Sequence, residues 1–230
     1  MTIRTQRASY PSADGKTSIP AYVAEPQAEG PHPVVLILRG VAGPEDGYTE
    51  ITERLADWGY LALLHGWKIR GDDPPDAPVS ADLAGALAYL RLLRSADLKR
   101  LAVFGFCRGG VHALMATAAH REIHLAVIFH GFAFRPEHAQ AGVHPYDLVS
   151  KVDVPTLILH GIDDERAPVE GMRRFEERAR QAGKPIEFRY YEGARHGFAV
   201  RTHPGYDAAI SEASFAEARK FIDARFRPRA

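Results

Sequence analysis

Apolar residues along this chain fall into short unbroken runs, separated by stretches in which they recur every three or four positions. The runs at residues 33–38 (PVVLIL), 60–64 (YLALL), 101–106 (LAVFGF), 123–130 (IHLAVIFH) and 155–161 (PTLILHG) have the length and continuity of strands buried on both faces. Residues 19–24 read as a further strand, paired with the N-terminal segment near residues 3–9, and residues 186–191 as the last one. Between the strands, Ile51, Leu55 and Trp58 lie at i, i+4 and i+7 on a helix that Gly59 can end. A loop rich in Asp and Pro, residues 71–78, leads to Ser80, the expected N-cap of a helix with Leu83, Leu87 and Leu90 on one face. Residues 111–119 and 169–182 read as helices, and Phe215, Ala218 and Ile222 mark a closing one. Alternation of this kind predicts an α/β fold: a mostly parallel central sheet with helices on both faces. The long stretch at 132–150 reads as an excursion over the active face rather than a boundary, so a single domain over 1–230 without a large cap is expected.

Composition changes this picture little. The chain has 230 residues, 46% hydrophobic and 25% charged, with 29 Lys plus Arg against 29 Asp plus Glu. A balanced charge gives no whole-protein attraction to nucleic acid or an anionic membrane. The opening segment has no apolar signal region, and no run approaches the ~18 apolar residues of a membrane-spanning helix. A single cysteine excludes an internal disulfide and suits a reducing compartment, so a cytoplasmic protein is expected.

That cysteine, Cys107, sits in "VFGFCRGG". A lone Cys is ordinarily a small core residue. Here it occupies the centre of G-x-C-x-G after a strand and before a helix, the context in which a nucleophile elbow is built. Residues without a Cβ relieve crowding in that strained turn, and the helix N-terminus favours a thiolate. Two more pieces follow in order. "HGIDDERAP" puts Asp164 in the loop after one strand, with Asp163 as the competing acid, and "ARHGF" puts His196 after the last strand. Nucleophile, acid and histidine in that chain order are what an α/β-hydrolase requires.

On "GFCRGG", "HGIDDERAP", "RHGF" and the "PVVLIL" strand with its glycine loop, the chain resembles the dienelactone hydrolase family of α/β-hydrolases, the branch with cysteine in the elbow, over essentially its whole length. The resemblance implies an α/β-hydrolase fold and a catalytic set of Cys107, Asp164 and His196. It also implies an oxyanion hole from the backbone N–H groups of Arg108 and Val41, hydrolysis of small esters or lactones through an acyl-thioester, and no metal or cofactor. The family's carboxylate just after the early strand is missing, because Gly40 stands at that position. Arg70 matches the neighbourhood of a family arginine that binds substrate carboxylate, Arg201 lies near a second, and Arg39 adjoins the oxyanion loop. Trp67 and Phe106 are candidates to line the pocket.

Two other readings stay open: a carboxylesterase or thioesterase without preference for anionic substrates, and a thiol-sensing or binding module on the same fold. His120 and His124, four apart, read as a surface helix end rather than a metal pair. His65, His130 and His160 close strands at the catalytic end of the sheet, and no chemistry is assigned to them.

Overall fold

One edge of the central sheet is a hairpin. β1 (Ile3–Pro11) and β2 (Ser18–Pro26) pair antiparallel, and β2 pairs antiparallel with β4 (Leu61–His65). From there the sheet is parallel through β3 (His32–Leu38), β5 (Ala96–Phe106), β6 (Leu125–Phe129), β7 (Thr156–Gly161) and β8 (Ile186–Tyr191), in the order β1-β2-β4-β3-β5-β6-β7-β8. This is the mostly parallel sheet expected from the alternating pattern, in the α/β-hydrolase arrangement that the resemblance implies. The computed structural model describes residues 2–42, 45–72, 74–134 and 143–226.

Alternate strand residues face opposite layers. Val35 and Ile37 pack with Tyr48, Ile51 and Leu55 of α1 (Asp46–Asp57) and with Phe215, Ala218 and Ile222 of α6 (Ala208–Phe226). Val34, Leu36 and Leu38 pack with α2 (Asp76–Leu90), α3 (Arg108–Ala119) and α5 (Val169–Gln181). Strands β4, β6 and β7 are buried along their whole length, which is why they read as continuous apolar runs. β8, at the edge, is only partly covered.

Two local expectations change. α2 starts at Asp76, behind Pro75 at its N-cap position, so Ser80 lies inside the helix rather than capping it. Pro78 is accommodated because N–H groups in a first turn have no intrahelical acceptor to lose. The 132–150 stretch is also not all loop: α4 (Pro145–Leu148) and a 3₁₀ turn at Val149–Lys151 pack beside α5. Its central part, 135–142, lies outside the described residues. Gly59 ends α1 as expected, with φ +98°. No helix among the described residues is long and apolar enough to cross a membrane.

The parallel strands end on one side, and the loops leaving β3, β5, β7 and β8 meet there. Ligands of open α/β sheets bind beyond the carboxyl ends of strands.

Candidate active site

Cys107 forms the turn between β5 and α3, with φ 53° and ψ −120°. A non-glycine residue in that region is strained, at a typical cost of about 1–3 kcal/mol, and the surroundings hold it there. Its N–H donates to Phe129 O at 3.1 Å, and its carbonyl accepts from Gly110 N at 2.9 Å. Both flanking glycines are required by close approach. A Cβ on Gly105 would sit 2.5 Å from Gly109 O, and one on Gly109 would sit 2.0 Å from Leu38 O. The residue is 8% exposed.

Asp164 leaves the turn after β7. Its Oδ1 accepts from the N–H groups of Arg166 (3.0 Å) and Ala167 (2.8 Å), which fixes the carboxylate against His196 Nδ1 at 2.8 and 3.0 Å. Asp163 points elsewhere, its Oδ2 accepting from Gly193 N at 2.7 Å. Geometry therefore separates two adjacent acids that spacing alone leaves close.

His196 is buried. Burial opposes its charge, but the hydrogen bond to Asp164 and the neighbouring Cys107 sulfur outweigh that and lift the imidazole to about 9. Its Nε2 has no hydrogen-bond partner of ordinary geometry among the described residues, and the Cys107 sulfur is the group beside it, close enough to favour the protonated ring. The His196 ring meets the edge of His130 with centroids 5.0 Å apart, and Phe132 at 5.4 Å. His130 is itself strained (φ 38°) and fully enclosed, with no hydrogen bond of ordinary geometry to either ring nitrogen among the described residues. Burial first, then the charge of His196, push it well below its ordinary value, so it stays neutral. A cleft of about 210 Å³ opens over His196 beside Ala42, Arg166, Arg195 and His203. A larger hollow of about 740 Å³, between β1, β2 and the turn before β5, holds none of these groups.

Arg108 is the first residue of α3, so its N–H opens the helix beside Cys107. Val41 follows Gly40 in the loop after β3. That loop is braced: Trp67 Nε1 donates to Arg39 O at 2.9 Å, and Gly40 N donates to Tyr48 Oη at 3.0 Å.

The residues expected to bind substrate are placed differently. Arg70 spends its fork on Asp82, with Nε and Nη2 at 3.0 and 2.6 Å from the two carboxylate oxygens, and on Asp14 at 2.6 Å. Arg201 is exposed and paired with Glu50. Arg39 is buried, lies over the Tyr48 ring at 4.8 Å and donates to Gly40 O. Trp67 and Phe106 are completely enclosed, Phe106 stacked on Phe129 at 4.7 Å, and both are core rather than pocket wall. Of the other histidines, His65 is enclosed against Tyr10, and His160 Nε2 donates to Ala167 O at 2.8 Å. His120 ends α3, and His124 is exposed before β6. Among the described residues no three His, Cys, Asp or Glu side chains form a metal-binding group. Tyr48 and His203 were not singled out by the sequence. They belong to no motif: Tyr48 reaches the site through tertiary packing, and His203 through the turns of the segment that also carries His196.

The dienelactone hydrolase family profile matches residues 19–78 and 67–226. A protein of Methylorubrum extorquens named "Putative carboxymethylenebutenolidase" is 31% identical over 215 residues, 86% of this chain and 73% of that one. A Bradyrhizobium protein named "Probable 2-oxo-3-(5-oxofuran-2-ylidene)propanoate lactonase" is 26% identical, covering 85% of each. The crystal structure of a "Putative Dienelactone Hydrolase" from Klebsiella pneumoniae superposes with a TM-score of 0.88 at 26% identity, covering 98% of this chain and all of the other. The chain belongs to the dienelactone hydrolase family, and is a carboxylic-ester hydrolase on the α/β-hydrolase fold.

Proposed function

We propose that the protein hydrolyses small esters or lactones through a Cys107–His196–Asp164 triad and an acyl-thioester. The observation that carries this reading is Asp164 locked onto His196 Nδ1, with the imidazole charge further favoured by the Cys107 sulfur at a strained strand-to-helix turn. In the first half-reaction the Cys107 sulfur attacks the carbonyl carbon. The carbonyl electron pair moves onto oxygen, where the N–H groups of Arg108 and Val41 receive it. Collapse of this intermediate breaks the carbon–oxygen bond, and the leaving alkoxide takes the proton that His196 carries. For a lactone, that alcohol stays attached to the acyl group. In the second half, neutral His196 takes a proton from water as the water attacks the thioester, and the sulfur departs as thiolate. Asp164 holds the imidazole orientation and offsets its charge.

A second reading on substrate preference also has support. Arg70, Arg201 and Arg39 are each engaged within the protein, which favours an esterase without a strong demand for a carboxylate-bearing substrate. Turnover of nitrophenyl acetate, absent in Cys107→Ala, supports an enzyme over a binding or thiol-sensing module; undiminished turnover in that variant contradicts the triad. Similar kcat/KM for neutral and carboxylate-bearing esters of equal size supports the second reading, and a large advantage for the anionic ester removes it.

A further inference from the structure

Tyr48 reaches the nucleophile from α1, a helix on which the sequence shows no catalytic motif. It is 1% exposed, clamped between the edge of Phe106 (centroids 5.8 Å) and the Arg39 guanidinium over its face. Its hydroxyl accepts a hydrogen bond from Gly40 N at 3.0 Å. A Cβ placed on Gly40 would lie 2.9 Å from Cys107 Cβ and 2.9 Å from Tyr48 Oη. The hydroxyl and the nucleophile thus converge on one small space that Gly40 leaves open by having no side chain.

Accepting from Gly40 uses one lone pair of the hydroxyl and leaves its proton to be placed. A buried donor without an acceptor is unfavourable. Two acceptors are to hand: Phe106 O, 3.3 Å from the same built Cβ, and the sulfur carried on Cys107 Cβ, near enough for its charge to act on the phenol. Phe106 O belongs to the last residue of β5, whereas the sulfur, as a thiolate, is a charged acceptor and attracts a donor more strongly. Burial first, and then the Cys107 sulfur, raise the phenol's pKa above its ordinary value, so the hydroxyl keeps the proton it would donate.

We propose that Tyr48 O–H donates to the Cys107 sulfur while the same oxygen holds Gly40 N–H, making Tyr48 a positioning residue that ties the nucleophile to the loop carrying Val41. This rests on the reading of Cys107 as the nucleophile. It also removes Gly40 N–H from the oxyanion hole and leaves Val41 N–H as that loop's donor. The other titratable or charged groups on this side are His196 with Asp164 behind it, His130, and Arg39 over the phenol ring. Removing one hydroxyl leaves all of them in place.

The test is the pH profile of Cys107 alkylation by iodoacetamide in wild type and Tyr48→Phe, with thiolate absorbance followed in parallel. The expected result is a midpoint about one unit higher in the variant and alkylation about tenfold slower on the acid side, the loss anticipated for one hydrogen bond to a charged acceptor. kcat for an activated ester should fall while KM holds. A profile identical to wild type overturns the proposal and assigns the hydroxyl proton to Phe106 O. Should Tyr48→Phe fail to fold, site-specific 3-fluorotyrosine at position 48 keeps the ring and makes a stronger donor. It should move the midpoint down, and no movement overturns the proposal equally. Alkylation reads the thiol and not turnover. Failure of the hydrolase reading would instead show as ester turnover surviving Cys107→Ala, whatever the Tyr48 profiles.

Discussion

Among the described residues, the charged cluster around Arg70 and the one around His196 differ in how much of their hydrogen-bonding capacity is used. At Arg70, both oxygens of the fully buried Asp82 are met by one guanidinium, which also reaches Asp14 and Ser12. At His196 one nitrogen is met by Asp164 and the other faces the Cys107 sulfur, while neither nitrogen of the adjoining His130 has a hydrogen-bond partner of ordinary geometry among the described residues. Burying polar atoms without partners is costly. A saturated cluster therefore serves the fold, and an unsaturated one at the end of a cleft is kept for something that arrives. Charge and position along the chain do not separate the two, because each lies just beyond the end of a strand.

Substitutions at the two clusters should accordingly separate activity from stability. The largest effect belongs to the open cluster. Asp164→Asn should lower kcat for an activated ester by roughly 10³–10⁴-fold, since the Asn amide no longer fixes the imidazole tautomer. Asp163→Asn, which disturbs only a bond to Gly193 N, should stay within about threefold. Steady-state kinetics of the pair check this, and the reverse order would move the acid by one residue.

The closed cluster should respond in the other currency. Arg70→Met leaves Asp82 enclosed and unpaired, and should lower unfolding free energy by about 3 kcal/mol, the lower end for a broken buried pair because the arginine side chain keeps 17% exposure. Denaturant titration measures this. kcat/KM of the folded variant should remain near wild type for anionic and neutral esters alike. A selective loss on the anionic ester would return Arg70 to the substrate site.

A third effect sharpens the contrast through pH. His196 titrates at about 9 in the folded protein against 6.5 as an ordinary histidine. Between these values the folded state binds the extra proton, so stability falls as pH rises. The contribution is fully present below about pH 6.5 and lost through about pH 9, and it amounts to at most about 3 kcal/mol. Part of it comes from the Cys107 sulfur, so unfolding titrations of Cys107→Ala across that range should show a shallower pH dependence than wild type.

The sequence made the strands and most helices legible because burial on both sheet faces writes itself as unbroken apolar runs. Ser80 misled because a serine ahead of an apolar face looks like a cap, while the two prolines before Asp76 had already set the helix start. Cys107, Asp164 and His196 could be singled out as candidates because each follows a strand, and strand ends are where this fold gathers its side chains. The arginines were not. Whether a guanidinium faces solvent, substrate or a buried carboxylate depends on partners such as Asp82 and Glu50, 12 and 151 residues away, which no local pattern announces. Tyr48 was hidden for the same reason. Its periodicity marks it as core, and only the register of α1 against β3 and the elbow brings its hydroxyl to Gly40.

The central claim is that Cys107 becomes acylated during turnover. Acid-quenching the enzyme within its first turnover of nitrophenyl acetate, followed by peptide mapping by mass spectrometry, tests it directly. The account expects an acetyl group on Cys107, formed in step with nitrophenol release and absent from Cys107→Ala. Nitrophenol release without a covalent adduct, or with the acetyl group on another residue, would contradict it.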